Sequence, residues 1–248
     1  MKFFIDFEAS QYTQEIISIG CVAETGNTFY SLVHSRHKVG NFVTALTGIT
    51  TKDLETAPDV DQVFDNFFFW LNNLCHGKKI DFICYGNCDS SFALNTLKNV
   101  KRSFFAQSAL SILSQNMIDY ADYIKAYFGL NKYISLVKVY QYYKQDDTII
   151  QTHNALEDAI MLKFVYDKIQ NGVDIQIPPF PEYMLQIHQK DKNGNVINTF
   201  YGFPQAAAWI LEHQGMPPHT RSERVINKIK NASDTKDSYC GYFWEIVE

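Results

Sequence analysis

Two carboxylates, Asp6 and Glu8, stand two residues apart inside FIDFEAS (residues 4–10), a run that is otherwise apolar and aromatic. Charged side chains are almost never fully buried without a partner. On a strand, positions i and i+2 point to one face. The two like charges are then held close, and burial makes their repulsion worse. A divalent cation between them removes the conflict, and an all-oxygen donor set at this spacing suits Mg2+ or Mn2+. A partly exposed strand end accommodates the same pair without any metal.

Two further stretches carry groups that could join them. Asp89 follows IDFICYG (80–86), a near-continuous apolar run that reads as a strand. Its ordinary use is to cap the helix beginning SSFAL, and capping leaves one oxygen free to face a cleft. The segment HNALEDA (153–159) sets His153 and Asp158 five apart around a helix start. The imidazole then lies on the loop or first turn, and the carboxylate about one turn further in. An imidazole with a pKa of about 6.5 suits taking a proton from water. Capping or packing is the commoner task of a lone histidine beside a helix. Glu157 falls on another helix face and reads as solvated.

The elements that must position these groups are legible as an α/β pattern. KFFIDFE (2–8) reads as a buried strand, and IISIGCVAE and TFYSLVHS continue as a meander around the turn ETGN. LTGITTKDLETAPDVDQVFDNFFFWLNNL reads as two helical pieces, with Asp59 capping the second. The strand 80–86 and the helix SFALNTLKNV follow, and residues 104–143 read as mostly helical. Residues 153–170 form an amphipathic helix with Leu156, Ala159, Ile160, Leu162, Lys163, Val165 and Ile169 three or four apart.

Bulk properties narrow the field. With 46% apolar and 20% charged residues in 248, the chain has the balance of an ordinary globular protein. A formal net charge of −5 argues against attachment to nucleic acid by bulk electrostatics alone. It leaves room for a nucleic-acid enzyme, because metal ions can cancel clustered acidic residues. The five cysteines (Cys21, Cys75, Cys84, Cys88, Cys240) contain no CxxC pair and read as buried structural thiols in a reducing interior. The apolar run of MKFFIDFE breaks at Asp6, too early for a signal peptide, and FFFW (67–70) is too short to span a membrane. The expectation is a soluble, cytoplasmic protein.

Taken in order, a strand with DxE, a strand end with Asp89 and an HxxxxD helix resemble the DEDDh exonucleases of the DnaQ-like group. That group includes proofreading subunits of bacterial replicative polymerases and ribonuclease T. Asp6-Phe7-Glu8 matches the first family motif, Asp89 the second, and His153 to Ala159 the third, in its HxAxxDA spelling. LTGIT (46–50) is similar to the family's element after the third strand, where Ile49 leans on the terminal base, and Phe92 sits where that group often has an aromatic. The resemblance covers residues 1 to about 172. It implies a ribonuclease H-like mixed β-sheet flanked by helices. Asp6, Glu8 and Asp158 are then expected to hold one divalent ion, and Asp6 with Asp89 a second, both Mg2+ or Mn2+. Two such ions stabilise the attacking and leaving oxygens of an in-line displacement at phosphorus. His153 is expected to take the proton of the attacking water, releasing a nucleoside 5′-monophosphate from the 3′ end of a single strand. DNA is slightly favoured over RNA as substrate. Phe7, Ala9, Ile49 and Phe92 are the expected substrate contacts. Two departures stand out: Ala9 replaces the usual Thr after the first-motif Glu, leaving only its backbone N–H, and GNCDSSF replaces an alanine-rich second motif. The alternative is a non-catalytic or weakly catalytic binding protein on the same scaffold, against which the presence of all five catalytic residues speaks.

Three prolines within 178–181 break the pattern. The expected organisation is an exonuclease domain over 1–176, a Pro-rich linker over 177–182 and a small α+β module over 183–248. In the module, MLQIHQKDKNGNVINTFYGF reads as a hairpin, QAAAWILEHQG as a helix ending at Gly215, and a second helix starts near Thr220 and runs to about Asn231. YCGYFWEIVE closes the chain as a strand. Seven Lys/Arg balance seven Asp/Glu over 183–248, yet four of the cations gather within 221–230 on the second helix. That arrangement fits a helix-turn-helix with Arg221, Arg224, Lys228 and Lys230 as phosphate contacts. The stretch 189–210 with GYFWEI resembles the NUMOD modules that accompany homing endonucleases. The partner is then duplex DNA, while a small appendage that binds a protein or covers the core is the other reading.

Overall fold

Why the acidic strand can be buried becomes clear from the sheet that receives it. A computed structural model describes residues 1–172, 180–215 and 221–247. The chain begins with β1 (Lys2–Ala9), β2 (Ile16–Ala23) and β3 (Thr28–Leu32), paired antiparallel in sequence. Three helices follow: α1 (Asn41–Thr47), α2 (Thr51–Glu55) and α3 (Val60–Cys75), the last capped by Asp59, whose side chain accepts from Gln62 N. β4 (Asp81–Cys84) then joins the free edge of β1 in parallel, which needs a long crossover of this kind. After α4 (Asp89–Leu97) and α5 (Phe104–Gln115), β5 (Met117–Asp119) pairs parallel with β4. The order is β3-β2-β1-β4-β5. Helices α6 (Tyr120–Tyr127), α7 (Leu136–Lys144) and α8 (Ala155–Gln170) follow.

β1 serves two layers through its alternation. Phe3, Ile5 and Phe7 face a core built with Val63, Phe64, Phe67 and Leu71 of α3 and Ala106, Ala109, Leu110 and Leu113 of α5. The opposite face carries Phe4, Asp6 and Glu8 and is covered by α8, where Tyr166 meets the Phe4 ring edge-on at 5.0 Å.

The chain divides into two compact units, Met1–Tyr123 with Ser135–Val173, and Ile124–Ile134 with Asp174–Glu248. The second contains a four-stranded sheet in the order β7-β6-β9-β8, from β6 (Gln186–Lys190), β7 (Val196–Tyr201), β8 (Ser238–Tyr239) and β9 (Tyr242–Val247). Helices α9 (Phe203–His213) and α10 (Ser222–Thr235) pack on it around Ile187, Phe200, Ile210, Val225, Ile229 and Trp244. Within this unit, Asn131 N–H donates to the Tyr183 carbonyl at 2.7 Å, and the rings of Phe128 and Phe180 meet at 5.2 Å.

Some expectations change. β5 lies inside a stretch that reads as helical, because three residues are too few to show a period. Ile160, counted on the apolar stripe of α8, is 45% exposed, and Met161 is buried in its place. Cys88 is exposed rather than structural. α10 runs past Asn231 to Thr235. Its expected start at Thr220, the turn of the helix-turn-helix, and residues 177–179 of the linker lie outside the described residues. Phe180 is buried, and Pro181–Tyr183 form one 3-10 turn. Among the described residues no helix is long and apolar enough to cross a membrane.

One close approach fixes α8 on the sheet. Gly20 of β2 is the cross-strand partner of Asp6. A Cβ at Gly20 would stand 2.1 Å from the Ala155 carbonyl carbon and 2.2 Å from Leu156 N, both backbone atoms of the first turn of α8. Backbone cannot rotate away as a flexible side chain can. Gly20→Ala is therefore expected to lower stability by about 1–3 kcal/mol, and to lift the helix start that carries His153 and Asp158. Chemical denaturation of the variant measures the first effect; unchanged stability contradicts the close packing.

Candidate active site

Three elements converge at the C-terminal end of β1. Glu8 comes from the strand, Asp158 from the first turn of α8, and His153 from the residue before the helix cap. One potential ligand atom of each lies within 4.8 Å of the others. Asn154 caps α8 by accepting from Leu156 N and Glu157 N, which sets His153 just outside the helix. His153 itself adopts φ 52°, a left-handed conformation uncommon for any residue with a side chain. Such conformations persist where surrounding structure imposes them.

The remaining carboxylates come from β1 and from the helix after β4: Asp6 stands two residues before Glu8, and Asp89 is the first residue of α4. Burial first, then the charges of Asp89, Asp158 and Glu8, holds the Asp6 carboxyl well above the usual carboxylate range. Glu8 is pushed up to about 8 by burial and by Asp158 and Asp89. Asp89 is raised by burial, with Asp119 adding, and Asp158 is raised by burial against a lowering hydrogen bond from Gln151. These four groups therefore sense one another as a single like-charge set.

A sequence profile described as Exonuclease matches residues 3–166. The chain belongs to this exonuclease family. Among solved structures, the nuclease domain of 3′hExo, a DEDDh family member bound to rAMP, is similar at 21% identity. It covers 71% of this chain and 94% of its own, with a TM-score of 0.56. A 3′-exonuclease solved for its 3′-end specific recognition of histone mRNA stem-loop shares 20% identity, with coverage of 81% and 70% and a TM-score of 0.55. Cell-death related nuclease 4 (CRN-4) matches over 100% of this chain and 80% of its own, at 16% identity and a TM-score of 0.52. These likenesses establish the ribonuclease H-like fold. No curated protein sequence matches.

Membership in the exonuclease family implies divalent metal ions, and the residues present fit them. Asp158 is buried, its Oδ2 accepts from Gln151 Nε2 at 2.7 Å, and its Oδ1 has no hydrogen-bond partner. A buried acceptor left bare is costly unless something binds it. None of Asp6, Glu8, Asp89 and Asp158 forms an ion pair with Lys or Arg among the described residues. An oxygen-rich donor set without internal counter-charge suits a hard cation.

The other expected site residues are dispersed. Phe7 turns its ring into the α3/α5 core, on the face opposite Asp6 and Glu8. Ala9 follows a register shift between Glu8 and Ala9 and stays partly exposed. Phe92 is half-buried one turn beyond Asp89 and leans on the core. Ile49 packs on a small separate cluster of Ile17, Val39, Val43 and Leu54. Asp89 does not cap α4: Cys88 holds the cap position, and Asp89 is the first helical residue. Arg221, Arg224, Lys228 and Lys230 belong to the second unit and are exposed there.

Sequence reasoning missed the residues that hold the site in place. Gln151 supports Asp158 from the loop before α8. Thr96 accepts from Ile16 N at 2.8 Å and donates to the Phe92 carbonyl at 2.8 Å, pinning α4 beside β2. Asp119 Oδ1 accepts from Gly86 N at 2.8 Å and Ala121 N at 2.9 Å, which fixes the loop leading to Asp89. Only Gln151 carries a local signal, being two residues from His153.

The carboxylate cluster makes stability pH-dependent in a definite sense. Glu8, ordinarily near 4.5 and here about 8, keeps a proton in the fold that the unfolded chain gives up. Wherever the folded state binds more protons, stability falls as pH rises. The metal-free protein is thus expected to lose stability between about pH 5 and pH 8. Asp6→Asn should flatten this loss and raise Tm at pH 8 by about 2–4 °C per kcal/mol gained. Thermal melts in EDTA check it, and identical pH profiles for both proteins contradict the clustering.

Proposed function

We propose that the protein is a metal-dependent 3′→5′ exonuclease that removes nucleoside 5′-monophosphates from single-stranded 3′ ends. The observation that carries this reading is the approach of Glu8, His153 and Asp158 within 4.8 Å, beside Asp6 and Asp89. Asp6, Glu8 and Asp158 hold one divalent ion, and Asp6 with Asp89 supports a second. When bound, the two ions supply charge stabilisation to the attacking and leaving oxygens of the phosphodiester.

The chain's own groups do the rest. His153, partly exposed at the mouth of the acidic cluster, accepts the proton of the attacking water. Gln151 keeps one Asp158 oxygen engaged, so that the other stays directed to the cluster. Ala9 offers the substrate a backbone N–H alone, and Ile49 and Phe92 offer apolar surface to the terminal base. A 3′-exonuclease bound to a histone mRNA stem-loop and a nuclease domain bound to rAMP support a nucleic-acid substrate. DNA is taken slightly ahead of RNA. Residues 183–248, similar in part to NUMOD modules, act as a docking module.

Digestion of 3′-labelled single-stranded DNA, RNA and duplex tests the whole reading. Mononucleotide release is expected with Mg2+ or Mn2+, none in EDTA, and the fastest rate on single-stranded DNA. His153→Ala should lower the rate by about 10²–10⁴-fold, recovering in part at higher pH, where hydroxide is more abundant. Asp6→Asn should abolish activity with the fold intact, and a fully active Asp6→Asn protein overturns the assignment.

A further inference from the structure

Ser18 interrupts a strand that is otherwise apolar. β2 reads IISIGCVA and is buried along its whole length. Ser18 is the cross-strand partner of Glu8, as Gly20 is of Asp6 and Val22 of Phe4. Residues facing each other on paired strands share one side of the sheet, so the Ser18 side chain points to the face that bears Asp6 and Glu8. That face is covered by α8. Cβ atoms directly opposite on antiparallel strands lie about 4.5–5.5 Å apart, which puts a serine hydroxyl within reach of a glutamate side chain. The hydroxyl is closed off from solvent: Ser18 is 1% exposed, and its Oγ has no hydrogen-bond partner. The other buried serine and threonine among the described residues are satisfied. Ser10 Oγ meets Thr13 Oγ1 at 2.5 Å, and Thr96 donates to the Phe92 carbonyl at 2.8 Å. A buried hydroxyl without a partner costs the fold free energy that alanine at the same place would not.

We propose that Ser18 is a positioning residue for metal binding: its hydroxyl donates to the ionised Glu8 carboxylate and holds it toward the divalent ion. The proposal rests on the exonuclease reading above. An ionised carboxylate is an acceptor only, with room for about four hydrogen bonds or metal contacts on its two oxygens. An ion engages part of that capacity, and in a hollow shut off from water the remainder needs a protein donor. A hydroxyl can rotate its proton toward the oxygen that needs it, and a bond to an ionised acceptor is stronger than one between neutral groups. Asp158 already has such a donor in Gln151, which reaches its Oδ2 at 2.7 Å from the loop before α8. Ser18 supplies the equivalent for Glu8 from the sheet. Glu8 and Asp158 are thus steadied from opposite sides of the cluster they share with His153. Ser18 touches neither substrate nor the reacting atoms in this role and acts through Glu8 alone.

The test is a Mn2+ titration of the full chain, stripped with EDTA and dialysed, with the free ion followed by electron paramagnetic resonance. Ser18→Ala is expected to bind Mn2+ about 10–100-fold more weakly than the wild type, as loss of a hydrogen bond to a ligating group does. Its Tm in EDTA should not fall, because the deleted hydroxyl makes no bond in the metal-free fold. Ser18→Cys, close in size but a weak donor, should also bind more weakly than the wild type. Unchanged Mn2+ affinity in Ser18→Ala overturns the proposal. Full affinity in Ser18→Cys overturns it as well, since shape rather than donation is then at work. A weaker affinity accompanied by a lower Tm in EDTA does the same, because it marks a packing defect. A wild-type chain that binds no Mn2+ defeats the exonuclease reading itself and takes this proposal with it, so the two failures are told apart.

Discussion

Like charges brought together in a poorly hydrated hollow repel one another, and in this fold three separate elements are anchored so that four carboxylates remain together all the same. β1 supplies Asp6 and Glu8, α4 supplies Asp89, and α8 supplies Asp158. Each carboxylate is raised by burial before any neighbour is counted. A surface patch could relax by turning its side chains outward. Here Glu8, Asp89 and Asp158 are buried, so the strain has no such outlet.

What resists the repulsion is ordinary packing and hydrogen bonding at some distance along the chain. Phe3, Ile5 and Phe7 root β1 in the apolar core, leaving its alternate positions to face α8. Gly20 lets the backbone of α8 lie directly on β2 opposite Asp6, which no larger residue permits. Thr96 holds α4 to the start of β2, and Asp119 ties the end of β4 to the end of β5. The acidic cluster is therefore the property of the sheet with its flanking helices, and no single segment could form it.

The sequence was informative where function and local pattern coincide. Asp6 and Glu8 share a strand face by a two-residue period, and His153 with Asp158 is set by a helix start, so both pairs can be read from short windows. The α/β succession and most helix limits follow from caps and apolar spacing, as Asp59 and Asn154 illustrate. The supports were not readable, because their meaning depends on distant partners: Thr96 meets Ile16 eighty residues away, and Asp119 meets Gly86 across thirty-three. A motif names positions without saying which way each side chain turns, and the Phe7 ring faces the apolar core. β5 escaped notice because its three residues show no period, and residues 124–134 give no local sign that they pack with Phe180 and Tyr183.

Both units contain unpaired like charges, but the two sets do not compel the same conclusion. Exposed cations on α10 are hydrated and screened, and an unpaired surface charge costs the fold almost nothing. Their alignment along one groove of α10 is a matter of residue choice and puts no strain on the fold. The carboxylates around Asp6 are different, since water does not fully compensate them and the bare Oδ1 of Asp158 has no protein donor to turn to. Without a counter-charge, that hollow must take up protons as the Glu8 shift to about 8 implies; with divalent ions it can stay ionised near neutral pH. Folding and chemistry thus ask for the same cation.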